Sequence, residues 1–171
     1  MCYHRAAVPS IPAAYREAFE AYLAGPASIR EAITGIDQAR LSQRPQGSEW
    51  SVRDVVIHLS DAELVRAERL RRVVAEDEPE LRAFDQERWK RRLAYLWRDP
   101  ELALSLLELL CHANAELLRQ LDAAGWERAG RHTEQGRVTV ADLVRGGAEH
   151  FADHARQIRA LRDALAGAPR A

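Results

Sequence analysis

Apolar residues recur at steps of three and four along most of the chain, the period of a helix with one buried face. A first run opens at Ile11-Pro12 and passes through Tyr15, Phe19, Tyr22 and Leu23. It is interrupted at Gly25-Pro26, where proline's missing N–H predicts a kink or a restart, and resumes through Ile29, Ile33 and Ile36. Leu41 to Glu49, with Pro45 and Gly47, reads as a connector. The second run has a clear start, with Ser51 as N-cap and Asp54 in the first turn. Its stripe is Val52, Val55, Val56, Leu59, Ala62, Val65 and Leu70, and it should reach about Ala75, where the acidic stretch Glu76 to Glu80 with Pro79 breaks it. Residues 81–98 have no clean period, although Phe84, Trp89, Tyr95 and Trp97 fall there.

Pro100 marks a third helix start. Its stripe is Leu102, Leu106, Leu109, Leu110, Ala113, Leu117 and Leu121, with Gly125 as its end. After a loop from Trp126 to Arg137, Thr139 and Asp142 form a capping-box-like start to a fourth helix, which runs to about Leu165 before Gly167 and Pro169. No segment shows strand alternation, and no repeat or low-complexity stretch is present. The pattern predicts an all-α, four-helix bundle spanning residues 11–167 behind a flexible tail, residues 1–10. The connectors exceed hairpin length, so at least one crossover replaces a simple up-down-up-down order.

Composition narrows the partners. The 171 residues suit one domain, and 47% hydrophobic with 30% charged residues is ordinary for a soluble protein. A net charge of -1 argues against nucleic acid as the main partner. The N-terminus lacks a signal peptide's apolar core, and no run reaches the roughly 18 apolar residues of a membrane span. Cys2 and Cys111 make no disulfide framework, and Cys111 reads as a small buried hydrophobe. Together these features point to the cytoplasm.

Of six histidines, three carry the candidate chemistry. His150 and His154 are spaced four apart, which stacks them on one helix face. That face also holds Val140, Leu143, Gly147, Ile158, Leu161 and Leu165, so two imidazoles occupy positions where the bundle expects aliphatic side chains. Buried imidazoles need partners, and either a metal ion or hydrogen bonds to buried carboxylates would serve. His58 lies on a similar inward stripe with Val55, Ala62 and Val65. His4 lies in the tail, His112 shares a polar face with Glu108 and Glu116, and His132 sits in the loop before the fourth helix. Asp61, one turn after His58, is the acid expected to support the site; Glu63 and Glu149 are expected as surface charges. Trp50 and Trp126 are expected as packing residues. No glutamate follows the first histidine of the pair as a zincin requires, and neither a phosphate loop nor a di-iron Glu-x-x-His pair appears.

The segment from Trp50-Ser51 through His58-Leu59-Ser60-Asp61-Ala62-Glu63 resembles a stretch of the DinB/YfiT-like superfamily. So does Val138 to Leu143 leading into His150-Phe151-Ala152-Asp153-His154 and the trailing Gln157-Ile158. Phe84 to Trp89 and Leu121 to Trp126 are similar to the same family's linker and third-helix end, so the resemblance covers roughly residues 12–165. It implies an up-down-down-up bundle, often dimeric, with one divalent metal ion on His58, His150 and His154. Three imidazoles leave coordination positions open, the arrangement of a catalytic site. Zinc is expected first, with nickel or another transition metal also suited to imidazole. The resemblance further implies a thiol S-transferase joining a bacillithiol-like thiol to an electrophile. The alternatives are a metal-dependent hydrolase and a non-enzymatic metal-binding stress-response protein.

Overall fold

A computed structural model describes residues 10–166. The expected tail lies almost wholly outside the described residues, as do Cys2, His4, Gly167 and Pro169. Seven helices follow in order: α1 (Arg16–Ile33), α2 (Gln38–Leu41), α3 (Val52–Ala75), α4 (Gln86–Arg92), α5 (Pro100–Leu118), α6 (Ala123–Glu127) and α7 (Val140–Ala166). Three short strands, β1 (Glu80–Leu81), β2 (Ala129–His132) and β3 (Gly136–Thr139), complete the fold.

The four long helices form the bundle, and their side-chain pairs give its sense. Tyr22 lies beside Gly147, Gly25 against Phe151, and the Ala32 carbonyl accepts from Arg162. Contacts advance together along both chains, so α1 and α7 are parallel. The same holds for α3 and α5: Asp61 meets Arg98, just before α5, while Glu63 and Arg71 meet Asn114 further along it. Across α3 and α7 the order reverses, with His58 facing His150 and Arg66 reaching the Leu143 carbonyl. Arg30 pairs with Glu108 while Tyr22 meets Asn114, so α1 and α5 are antiparallel. The order is therefore up-down-down-up.

Both expected starts are full capping boxes. Ser51 Oγ accepts from Asp54 N while Asp54 Oδ2 accepts from Ser51 N. Thr139 and Asp142 repeat the exchange at the start of α7. These caps place α3 and α7, and with them the three histidines, in fixed axial register.

Four expectations need correction. First, of the kink or restart expected at Pro26, the restart does not occur: α1 continues from Arg16 to Ile33 with Pro26 inside it. Tyr22 and Ile29 on either side are fully buried, and that packing outweighs the roughly 3 kcal/mol that an interior proline costs a helix. Second, α5 ends at Leu118, because Asp122 caps the separate α6, which contains Gly125. Third, the buried face of α5 is Ala103, Leu104, Leu107, Cys111, Asn114, Ala115 and Leu118. Leu102 and Leu109, both on the expected stripe, are 70% and 67% exposed, so the buried face lies one step out of phase with that stripe. Fourth, residues taken as loop form a small sheet in the order β1-β2-β3, with β1 parallel and β3 antiparallel to β2. Strands of two and four residues are too short to show alternation. No described helix is long and apolar enough to cross a membrane.

Candidate metal centre

His58 lies in the second turn of α3 and is 2% exposed. His150 and His154 lie on the facing side of α7, half-buried beside its core stripe; Phe151 and Ala155 take the innermost positions. The antiparallel crossing of α3 and α7 brings the three rings together. Nε2 of His150 stands 3.2 Å from Nε2 of His58 and 2.9 Å from Nε2 of His154. Among the described residues these three form a group whose ligand atoms all lie within 4.8 Å of one another.

The donor set fits a metal ion. Three nitrogens held about 2.0–2.1 Å from one tetrahedral ion stand roughly 3.3 Å apart, close to the observed spacing. A proton can bridge only one of these nitrogen pairs at a time, whereas one cation satisfies all three lone pairs. Tautomer selection agrees. Nδ1 of His154 lies 2.7 Å from Oε1 of Gln157, and an amide oxygen only accepts. The proton is thus on Nδ1, and Nε2 is free to bind. Gln157 carries no charge and stands one turn past His154, so the histidine pattern did not single it out. Its signal was the trailing Gln-Ile of the last helix.

Burial keeps the imidazoles neutral. Desolvation, and secondarily the charge of His154, lowers His58 to about 4. His150 falls to about 2, from desolvation first and then from His154, Arg66 and His58. His154 is also lowered, mainly by desolvation. Neutral imidazole is the form that binds metal.

Aromatic rings close one side of the site. Trp50 meets His58 edge-on with centroids 5.4 Å apart, and Phe84 lies 6.3 Å from the same ring. Trp50 is anchored by a 2.8 Å bond from Nε1 to Glu87 and by Lys90 above its ring. Asp61 does not reach an imidazole; its carboxylate accepts a 2.6 Å bond from Arg98. Glu63, expected at the surface, is 1% exposed and accepts from three side chains. It accepts from Tyr22, from Asn114 at 2.9 Å and from Arg66 at 3.1 Å, while Arg71 donates to Asn114 at 2.7 Å. Burial raises the Glu63 carboxyl, and Arg66 and its hydrogen bonds oppose that shift. The position lies five residues past His58, on the side of α3 that faces α1 and α5, and the outward-looking charge pattern of the sequence hid it.

The remaining expectations are quickly placed. Glu149 and His112 are exposed, and Cys111 is a buried free thiol whose pKa burial raises. Trp126 is fully buried and stacks on Tyr15. His132 ends β2, where Nδ1 accepts from the backbone of Glu134 and Gln135 and shapes the hairpin turn.

Known proteins resemble this arrangement. A provisionally named metal-dependent hydrolase of Oceanobacillus iheyensis is 27% identical over 137 residues, covering 80% of this chain and 78% of its own. The structure of YfiT from Bacillus subtilis, described as having an unusual four-helix bundle topology, superposes with a TM-score of 0.83 at 23% identity, covering 97% of this chain and 95% of that one. A mycothiol-dependent maleylpyruvate isomerase shares the fold at a TM-score of 0.67 and 12% identity, covering 84% of this chain and 60% of the isomerase. The DinB superfamily profile matches residues 21–158, and the chain belongs to the DinB superfamily.

Proposed function

We propose that His58, His150 and His154 hold one divalent metal ion, zinc or another imidazole-binding transition metal, and that the protein is a thiol S-transferase. Its substrates are a low-molecular-weight thiol of the bacillithiol type and a small electrophile. The observation that carries this reading is the convergence of three neutral Nε2 atoms with no fourth protein ligand among the described residues. A bound ion would supply Lewis-acid chemistry, holding a thiol as its nucleophilic thiolate or making water more acidic.

The chain's own groups favour sulfur over water. The two carboxylates whose charge reaches His58 are Asp61 and Glu87. Asp61 is paired with Arg98, and Glu87 with Lys90 and Trp50. Neither is free to take a proton from water as a general base. A thiol needs less help, since its pKa of about 8.5 is already near neutrality. Gln157 orients His154, and the rings of Trp50 and Phe84 shield His58 from solvent.

The names carried by the Bacillus and Oceanobacillus relatives favour a second reading, hydrolysis. Metal content by mass spectrometry on tag-free protein, beside a His150→Ala, His154→Ala variant, tests the centre. About one metal per chain, lost in the variant, is expected. Turnover assays with zinc-loaded protein then separate the chemistries. Conjugation that requires added thiol supports transfer, ester or amide cleavage without thiol supports hydrolysis, and a loaded protein inert in both leaves a metal-binding bundle.

A further inference from the structure

A cleft of about 780 Å³ opens between α4 and the β2–β3 turn. Its volume falls within the range that accepts small organic ligands. Phe84, Trp89 and Leu93 supply an apolar wall, with the Phe84 and Trp89 rings 4.6 Å apart at 44°. The opposite character comes from Arg88 and Arg92, one turn apart on α4, which also line the cleft. Arg82, in the segment before α4, is paired with Glu80. Among the described residues, neither Arg88 nor Arg92 has an ion pair, and neither guanidinium donates a side-chain hydrogen bond.

Two acids, Asp85 and Glu134, also line the cleft. Asp85 accepts from Arg88 N at 2.9 Å at the α4 N-terminus, and among the described residues neither it nor Glu134 forms an ion pair with Arg88 or Arg92. The cleft is a built feature. Thr133 donates its N–H to the Leu81 carbonyl, and its hydroxyl accepts from Ala83 N at 3.0 Å, which ties the hairpin to the strand leading into α4. Its inner wall, Phe84, is the ring that packs on His58. A molecule stacked on Phe84 therefore lies one ring away from His58.

We propose that this cleft binds a small organic carboxylate with an aromatic or aliphatic body, and that it is the electrophile's subsite. Arg88 and Arg92 take the carboxylate, Phe84 and Trp89 stack on the body, and the reactive end points past Phe84 toward His58. The assignment to the electrophile rests on the transferase reading; the binding site does not. Guanidinium–carboxylate pairs are often bidentate, which makes the acid group the discriminating element.

The test uses 4-phenylbutyrate and its neutral amide as probes, with Trp fluorescence and titration calorimetry as readouts. Four proteins are compared: wild type, Arg88→Gln with Arg92→Gln, Arg156→Gln with Arg159→Gln on the outer face of α7, and His150→Ala with His154→Ala. The expected result is saturable acid binding by wild type, roughly fivefold or more tighter than the amide. The first variant should bind both probes equally, with wild-type metal content. The α7 surface variant should behave like wild type. Binding retained in the histidine variant while its metal is lost keeps the cleft independent of the metal centre. Equal affinity for acid and amide in wild type, or acid binding unchanged in the Arg88/Arg92 variant, overturns the proposal.

Discussion

At the scale of single residues, two side chains make opposite demands on the fold. Gln157 touches only the rim of the site, yet it fixes which nitrogen of His154 carries the proton. Gln157→Leu keeps volume and removes the acceptor. Metal affinity, measured by competition with a chromogenic chelator, should fall about 10–100-fold while the unfolding midpoint stays near wild type. Glu63 works the other way, far from solvent and tied to three helices. Glu63→Leu would leave Arg66, Asn114 and Tyr22 without their shared acceptor, and urea unfolding should show a loss of about 3–5 kcal/mol. Glu63→Gln keeps one acceptor and should cost clearly less. The histidine triad was legible in the sequence because polar residues at apolar phase stand out. Glu63 was not, because an acid beside Leu64 and Arg66 on a long helix looks like any solvated charge, and only the approach of Tyr22 and Asn114 from other helices reveals its burial.

Elements are set by caps where caps exist and by packing where they do not. The starts of α3, α5 and α7 were readable because Ser51, Pro100 and Thr139 act through local chemistry. The passage of α1 through Pro26 was not, since it depends on what lies across the interface. Gly25 shows why. A Cβ there would stand 2.1 Å from Cδ2 of Phe151, a ring that is itself buried. Helix propensity alone would make Gly25→Ala stabilising by about 0.8–1 kcal/mol. Overpacking against Phe151 reverses the sign, and a net destabilisation of about 1–3 kcal/mol is expected, read as a lowered thermal midpoint. Gly147 makes the same allowance for Tyr22 and Arg66, with gaps of 2.9 Å and 3.0 Å. The phase of α5 escaped the sequence for a related reason. Its leucines are spread around most of the helix, and the choice of Leu104 and Leu107 over Leu102 and Leu109 is made by α3 and α1.

For the molecule as a whole, the buried imidazoles link stability to pH. An unfolded histidine titrates near 6.5, while His58 in the folded protein titrates near 4. Between these values the unfolded chain binds the extra proton, so stability is full above about 6.5 and falls as pH drops toward 4. For His58 alone the loss between pH 7 and pH 5 is on the order of 1–2 kcal/mol. Urea unfolding of metal-free protein at the two pH values checks this, and His58→Phe should show a shallower slope.

The parallel pairing of α1 with α7 has a consequence for how the chain assembles. Ala32 and Arg162 are neighbours although 130 positions apart. Helices that run the same way cannot be joined by a tight turn, so neither the α1–α7 nor the α3–α5 pairing can form as a local helical hairpin. High contact order slows folding. On the ribosome, the side of the first helix that meets Gly147, Phe151 and Arg162 stays uncovered until the last helix emerges. Nascent chains stalled before residue 140 should therefore remain open to protease throughout, and protection should appear in one late step.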